Sequence, residues 1–243
     1  MPGELRIGTS GWSYKHWKGL FYPDDLPSKN WLQYYIEHFD TVELNVSFYR
    51  LFPRKMFEAW QNKVPEGFLY AVKLWRGITH LKKLAVTAES LKDVCERIEG
   101  LGKALGPILV QLPPGLHLNI PLLENFAKMC PPQLRWALEV RHSSWFVDDL
   151  WDLLTEHKIA FCIADAPGKP FPREVTADFI YARFHGEQRT YAGKYSKNTL
   201  KDWAAFLHDM LQDEKDVFTY FNNDIDGHAV TDAKELRKLI LEN

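Results

Sequence analysis

Short runs of apolar residues alternate along the chain with longer amphipathic segments, and this alternation continues from one end of the sequence to the other. The apolar runs are about four or five residues long, a length typical of strands that are buried in a parallel sheet. They predict eight strands, at residues 5–8, 41–45, 69–73, 108–111, 136–139, 160–163, 179–183 and 217–221.

The segments between these runs show the periodicity of helices. Leu200, Trp203, Ala204 and Leu207 follow the i, i+3, i+4, i+7 spacing of one helical face, and Ser196 stands in the region where an N-cap belongs. The same kind of spacing predicts further helices around residues 31–38, 91–98, 150–157 and 236–240.

Eight strands that alternate with helices predict an α/β protein, a (β/α)8 TIM barrel built as a single domain over residues 1–243. The length agrees, because such a barrel typically needs about 250 residues. Segment 166–178 contains three prolines, so we expect an irregular crossover without a full helix between strands six and seven. A doubly wound open sheet is the alternative architecture.

Composition narrows the class of protein. Apolar residues make up 46% of the chain and the formal net charge is −2, so no overall field draws it to nucleic acid or to an anionic membrane. A local basic pocket is still compatible with that charge. We find no apolar signal segment and no run long enough to span a bilayer, and expect a cytoplasmic protein without a membrane partner. The three cysteines lack CxxC spacing and are interpreted as buried thiols.

Polar residues stand at the carboxyl end of each predicted strand, where TIM barrels carry their catalytic groups. On strands two, five and seven they lie two apart, so each pair shares one face of its strand. These strand-end residues are Thr9, Ser10, Glu43, Asn45, Lys73, Gln111, Glu139, Arg141, His142, Asp165, Arg183, His185, Asn222, Asn223 and Asp224.

We expect acid–base chemistry at these strand ends. The catalytic proton-transfer candidates are Glu43, Asp165 and His185. A clamp for a phosphate-like group is predicted from three cations, because a guanidinium fork matches two phosphate oxygens at once; they are Lys73, Arg141 and Arg183. The remaining predicted substrate-binding residues are Asn45, Glu139, His142 and Asn222, together with the aromatic residues Trp12, Tyr14 and Tyr49.

Cations beside aromatic rings indicate an anionic, ring-containing ligand, such as a sugar phosphate, a nucleotide or a nucleic-acid phosphodiester. We therefore expect an enzyme of hydrolase type that acts on a phosphate ester. The alternative is a non-catalytic protein that binds a nucleotide or nucleic acid. A purely structural network of salt bridges also remains open, since the neighbouring carboxylates would compensate the cations in either case. The sequence does not specify the oligomeric state.

No metal and no cofactor are expected. The predicted cations neutralise the carboxylates that would otherwise be metal ligands. Residues 222–227 imitate half of a calcium-binding loop, but the twelfth position is Ala233 instead of glutamate, and a strand precedes the loop where a helix would be needed.

Several stretches around these strand ends carry a resemblance to a known family. They are Gly8-Thr9-Ser10-Gly11-Trp12-Ser13-Tyr14, Val42-Glu43-Leu44-Asn45-Val46-Ser47-Phe48-Tyr49-Arg50, Gln111-Leu112-Pro113-Pro114, Glu139-Val140-Arg141-His142-Ser143-Ser144-Trp145, Tyr181-Ala182-Arg183-Phe184-His185-Gly186 and Tyr220-Phe221-Asn222-Asn223-Asp224. In this order they resemble the YecE-like family, domain of unknown function 72. The resemblance implies a TIM-barrel fold, and it implies no reaction.

Overall fold

Strands and helices alternate through residues 1–168 and 171–242, which are the residues that the computed structural model describes. The strands are β1 (Leu5–Thr9), β2 (Thr41–Leu44), β3 (Leu69–Lys73), β4 (Leu105–Gln111), β5 (Trp136–Glu139), β6 (Ile159–Asp165), β7 (Phe179–Phe184) and β8 (Asp216–Phe221). The α-helices are α1 (Trp31–Ile36), α2 (Val46–Tyr49), α3 (Arg54–Gln61), α4 (Ala88–Ile98), α5 (Ile120–Met129), α6 (Asp148–Glu156), α7 (Lys197–Gln212) and α8 (His228–Leu241).

The eight strands form one sheet in the order β1-β8-β7-β6-β5-β4-β3-β2. Sequential strands are neighbours, and a helix follows each strand except β6, whose described crossover residues carry none; this is the topology of a (β/α)8 TIM barrel. The predicted fold class is confirmed. The open doubly wound sheet is excluded, because β1 pairs with β8, the last strand of the chain.

The predicted strands match the observed ones closely. The bounds of β3 and β5 are as predicted, whereas β4 begins three residues earlier, and β6 extends by one residue at its start and two at its end. The N-cap of α7 is also confirmed, since the Ser196 side chain accepts a hydrogen bond from the backbone N–H of Thr199. Helices α2, α3 and α5 were not predicted.

The crossover between β6 and β7 carries no helix in residues 166–168 and 171–178, as predicted; Pro170 lies outside the described residues. Thr176 fixes part of this segment. Its buried hydroxyl accepts a hydrogen bond from the backbone N–H of Phe161 at 2.8 Å and donates one to the carbonyl of Ile159 at 2.7 Å. These two hydrogen bonds connect the crossover to the first residues of β6 and satisfy a backbone donor and a backbone acceptor of that strand.

The chain divides into two compact units, each built from separated segments. Unit 1 comprises Met1–Glu43, Ile163–Arg173 and Asp178–Asn243, and unit 2 comprises Leu44–Cys162 and Glu174–Ala177. In unit 1, β8 pairs in parallel with both β1 and β7. In unit 2, β4 pairs in parallel with β3 and with β5, and β5 pairs with the start of β6. The organisation of the chain as a single domain stays a prediction.

The three cysteines are free thiols, of which Cys95 and Cys162 are buried and Cys130 is half-buried. Burial raises the pKa of the Cys95 thiol to about 12, so this side chain behaves as a small apolar group at neutral pH. Within residues 1–168 and 171–242, no helix has both the length and the apolar character that crossing a membrane requires.

Candidate functional site

The carboxyl end of β2 carries a completely buried carboxylate in unit 1. Glu43 is 0% exposed, and its Oε1 accepts hydrogen bonds at 2.8 Å from both the Ser10 hydroxyl and Arg183 Nη2. Its Oε2 accepts a third hydrogen bond, from the Tyr181 hydroxyl at 2.7 Å. Two strands therefore supply three donors to one carboxylate: β1 through Ser10, the residue that follows it, and β7 through Tyr181 and Arg183, which share one face.

Arg183 is 1% exposed, so its ion pair with Glu43 is fully withdrawn from water. A buried charge persists only when a partner compensates it, and each member of this pair compensates the other. The sequence predicted the two residues in different roles, Glu43 in proton transfer and Arg183 in an anion clamp. The structure brings them into direct contact with each other.

The Asp165 carboxylate at the end of β6 has both of its oxygens engaged. Oδ1 accepts a hydrogen bond from the Tyr195 hydroxyl at 2.9 Å, and Oδ2 accepts one from the indole N–H of Trp203 at 2.8 Å. Burial raises the pKa of Asp165, while these two hydrogen bonds act in the opposite direction. Its described contacts anchor the loop that leads into α7.

His185 follows β7 and is also 0% exposed. Its Nδ1 lies 3.2 Å from the Asn222 side-chain nitrogen, which donates, so the neutral ring carries its proton on Nε2. The backbone N–H of His185 donates to the carbonyl of Asp165 at 2.8 Å. The structure thus brings His185, Asn222 and Asp165 together, as expected for residues at the ends of β6, β7 and β8.

A second histidine in unit 1, which the sequence did not predict, lies beside these strand ends. His16 Nε2 is 2.8 Å from the carbonyl oxygen of Asp224 and 3.6 Å from its carboxylate oxygen Oδ2. The two side chains are 44% and 18% exposed, and burial raises the pKa of Asp224. Because the carbonyl accepts the proton on Nε2, the neutral ring has its lone pair on Nδ1.

Of the predicted aromatic residues in unit 1, Tyr14 packs beside this pair. Its ring centroid is 5.4 Å from that of His16 and 4.8 Å from that of Trp17, and its hydroxyl donates to the carbonyl of Ser10. Burial, followed by the charge of Asp224, raises the pKa of the Tyr14 phenol, which therefore stays protonated. Trp12 is half-buried, and its carbonyl accepts a hydrogen bond from the Tyr22 hydroxyl.

In unit 2, the buried carboxylate is Glu139 at the end of β5. Its Oε2 accepts a hydrogen bond from the Gln111 side-chain amide at 3.0 Å, and Gln111 and Glu139 are paired in register between β4 and β5. Its Oε1 forms an ion pair with Arg141 Nε at 2.5 Å. The Arg141 side chain remains 22% exposed, so this guanidinium is anchored on one side and reaches solvent on the other.

Lys73, at the end of β3, lies over an aromatic face. Its Nζ is 4.3 Å from the ring centroid of Phe48, while its carbonyl accepts a hydrogen bond from the Ser47 hydroxyl. The ring of His80 meets the same Phe48 edge-on, with centroids 4.8 Å apart. Phe48 therefore holds a lysine and a histidine side by side.

Three positively charged side chains act on the ring of His80. Burial lowers the pKa of His80, and the charges of Lys73, Arg76 and Arg141 lower it further. We call these four residues, Lys73, Arg76, His80 and Arg141, the cationic cluster. Two of them, Arg76 and His80, were not predicted, although the run Lys73-Leu74-Trp75-Arg76-Gly77-Ile78-Thr79-His80-Leu81-Lys82-Lys83 contains no acidic residue and could have indicated them.

Three more of the predicted residues lie in unit 2, and each has a different environment. His142 is half-buried, accepts a hydrogen bond from the backbone N–H of Ser144 and stacks on His117 with ring centroids 3.9 Å apart. Asn45 precedes α2, and its buried Oδ1 has no hydrogen-bond partner among residues 1–168 and 171–242. Tyr49 is 68% exposed. The convergence of all the predicted clamp and proton-transfer residues on one pocket stays a prediction.

In the part of the chain that the structure describes, no three His, Cys, Asp or Glu side chains are grouped as they would be to hold a metal ion. The carboxylates of Glu43, Asp165 and Glu139 have amide, hydroxyl, indole or guanidinium donors as their neighbours, and the neighbour of Asp224 is the single imidazole of His16. The expectation that the protein needs no metal stays a prediction.

The model of the family DUF72, described as proteins of unknown function, matches residues 6–243. The chain belongs to the DUF72 family. The UPF0759 protein YunF of Bacillus subtilis is a relative that is 27% identical over 97% of this chain and 94% of its own length. The UPF0759 protein YecE of Escherichia coli K12 is 26% identical over 58% of this chain and 50% of its own length.

Solved structures of DUF72 proteins share the fold. A DUF72 family protein from Thermotoga maritima is 29% identical to this chain and superposes on it with a TM-score of 0.89. The match covers 99% of this chain and 100% of the Thermotoga maritima chain. A DUF72 family protein from Enterococcus faecalis, 23% identical over 98% of both chains, superposes with a TM-score of 0.81. The family and its solved structures establish the TIM-barrel fold of this chain, and they assign no reaction to it.

Proposed function

We propose that the protein is an enzyme that uses acid–base chemistry on an anionic, ring-containing substrate, and that the cationic cluster binds the anionic group. The observation that carries the proposal is the pair of partly exposed cations at the ends of β3 and β5. Lys73 is supported by the Phe48 ring and Arg141 by the Glu139 carboxylate. Cations that are held in place before a ligand arrives lose little conformational freedom on binding.

The exposed side of Arg141 suits an oxyanion. Its Nε is engaged with Glu139, and the rest of the guanidinium can present two N–H groups to two oxygens of a phosphate. The ring-containing part of the substrate is inferred from aromatic residues near these cations, of which Phe48 and Tyr49 lie on α2.

His80 offers a direct readout of anion binding. Burial and, after it, three positive charges lower the pKa of His80, so a bound dianion should raise that pKa by supplying the opposite charge. We would titrate the His80 ring resonances by NMR with and without saturating sulfate, whose charge is constant across the titration. The His80→Gln variant assigns the resonance. The expected result is a higher pKa of His80 in sulfate, an increase that Arg141→Gln removes.

Lys55→Gln is the matched control, since it removes one exposed positive charge from α3 in the same unit and should leave the sulfate effect intact. If sulfate leaves the pKa of His80 unchanged in the wild type, or if Arg141→Gln responds like the wild type, anion binding by the cationic cluster is wrong. The structural network of salt bridges would then be the better interpretation.

For proton transfer, we propose the His16–Asp224 pair in addition to Glu43, Asp165 and His185. Both members of the pair are partly exposed, whereas Glu43 and His185 have no exposed surface. With Nε2 hydrogen-bonded to a carbonyl, the lone pair on Nδ1 of His16 is available as a base, and the nearby carboxylate stabilises the imidazolium that results.

The test of catalysis is a panel of ring-containing phosphate esters, including p-nitrophenyl phosphate, bis(p-nitrophenyl) phosphate and dinucleotides. We expect turnover of at least one, lost in Arg141→Gln, retained in Lys55→Gln and lowered about 100-fold in His16→Asn. Turnover of none, combined with an intact effect of sulfate on His80, would contradict the enzyme and favour a non-catalytic binding protein.

A further inference from the structure

Residues 73–83 are strongly positive, although the formal net charge of the whole chain is −2. The segment contains four lysine and arginine side chains and His80, and no aspartate or glutamate occurs before Glu89. Arg76, Lys82 and Lys83 are exposed, and Lys73 is half-exposed. The cations therefore continue from the carboxyl end of β3 outward along the following segment.

Helix α2 lies alongside this segment. The Phe48 ring contacts both Lys73 and His80, and the Ser47 hydroxyl donates to the carbonyl of Lys73 at 2.8 Å. The same helix exposes a large aromatic side chain, Tyr49, which is not covered by the packing that buries Phe48. We refer to α2 together with residues 73–83 as the basic surface.

Residues 77–83 of the basic surface and the following Leu84 have an unusual backbone conformation, which packing and hydrogen bonds hold in place. Gly77–Leu81 forms a π-helical turn, a conformation that is rare and frequently occurs at functional sites. Lys83 and Leu84 follow with φ angles of 48° and 67°, in the left-handed region that side chains disfavour. Leu84 is buried, and its N–H donates to the carbonyl of Ile78 at 3.0 Å, so packing maintains the strained turn that displays Lys83.

A groove of about 290 Å³ opens beside this turn. Trp75, Ile78, Leu81 and Val86 contribute apolar walls, while Lys82 stands among the lining residues. An apolar groove next to a row of cations is suited to a ligand that alternates planar rings with negative charges.

We propose that the basic surface binds single-stranded nucleic acid, with its phosphates on Lys73, Arg76, Lys82 and Lys83 and with bases stacked on Tyr49 and in the groove beside Trp75. The proposal deepens the proposed function and rests on it, because it identifies the anionic substrate as a strand. A row of cations fits a chain of phosphates, and exposed aromatic faces stack on bases of any sequence.

The aromatic residues distinguish this ligand from other polyanions. A duplex keeps its bases stacked on one another and offers no base face to Tyr49, and an acidic peptide offers charges without planar rings. We therefore expect a preference for a single strand over both a duplex and an acidic peptide of equal charge.

The experiment is fluorescence anisotropy with a labelled single-stranded oligonucleotide about 12 nucleotides long, measured across a series of salt concentrations. Each cation that contacts a phosphate contributes about 0.7 to the slope of log K against log salt. The triple variant Arg76→Gln/Lys82→Gln/Lys83→Gln should therefore reduce the slope by about 2. Tyr49→Ser should weaken binding about 10-fold and leave the slope unchanged.

The matched control is Lys55→Gln/Lys92→Gln/Lys103→Gln, which removes three exposed charges elsewhere in unit 2 and should bind like the wild type. An oligonucleotide that binds no more tightly than a mononucleotide, a duplex that binds as tightly as the single strand, or equal binding of poly-glutamate would overturn the proposal. If sulfate still raises the pKa of His80 in that case, only the identification of the ligand as single-stranded nucleic acid is wrong. Should it not, the proposed function fails as well.

Discussion

The buried pair of Arg183 and Glu43 gives the sharpest prediction about stability. Arg183→Met keeps most of the volume of the side chain and leaves the Glu43 carboxylate, which is 0% exposed, without its charged partner. Breaking a buried ion pair from one side costs about 3–5 kcal/mol of unfolding free energy. For a chain of this size, each kcal/mol changes Tm by about 2–4 °C, so we expect a decrease of about 10 °C.

Scanning calorimetry at neutral pH measures this decrease. Arg97→Met is the matched control, because Arg97 pairs with Asp93 on the surface of α4, where such pairs contribute about 0.3–0.5 kcal/mol. Glu43→Gln/Arg183→Met should lose less than the sum of its single variants, since the two residues are in direct contact. If Arg183→Met lowers Tm no more than Arg97→Met, the ion pair of Arg183 and Glu43 does not stabilise the protein as a buried pair should.

Three further predictions concern single side chains. Tyr181→Phe removes one donor from Glu43 and should cost about 1.5–3 kcal/mol of unfolding free energy, measured by chemical denaturation. Thr176→Val should cost about 1–3 kcal/mol in the same assay, because the Phe161 N–H loses its acceptor. Burial raises the pKa of Asp232, so its contribution to stability is largest at acidic pH and is lost as the pH rises through the raised value; the Tm of Asp232→Asn relative to wild type should therefore increase with pH.

Each of these predictions has an outcome that contradicts it. Wild-type stability in Tyr181→Phe would mean that its hydroxyl does not stabilise the buried carboxylate, and wild-type stability in Thr176→Val would remove its role in the crossover. A Tm difference between Asp232→Asn and wild type that stays constant from acidic to neutral pH would show that Asp232 titrates as it does in the unfolded chain.

The fold was predictable because parallel strands that are buried on both faces appear in a sequence as short, continuous apolar runs. The bounds of β3 and β5 followed from such runs alone. Helix α5 was missed although signals for it exist: Asn119 caps it by accepting from the N–H of Leu122, and Pro121 lies in its first turn. The four-residue α2 is too short to show a helical period.

The candidate site was predictable only in part. Strand periodicity indicated which residues share a face, and so placed Glu43 and Arg183 at strand ends, but it carries no information about depth. That both are withdrawn from water, and that Tyr181 joins them, depends on tertiary packing. His16 lies in a short 3-10 helix, Lys15–Trp17, after β1, and its contact with Asp224 joins residues that are far apart in the sequence, so no local pattern predicts it.

The most direct test of the central proposal, that the cationic cluster binds an anion, is a crystal of the protein soaked in selenate, a tetrahedral dianion that anomalous scattering locates. We predict an anomalous peak within hydrogen-bonding distance of Lys73 Nζ and the Arg141 guanidinium, and its loss in crystals of Arg141→Gln. A wild-type crystal with selenate peaks elsewhere and none at Lys73 and Arg141 would contradict the proposal.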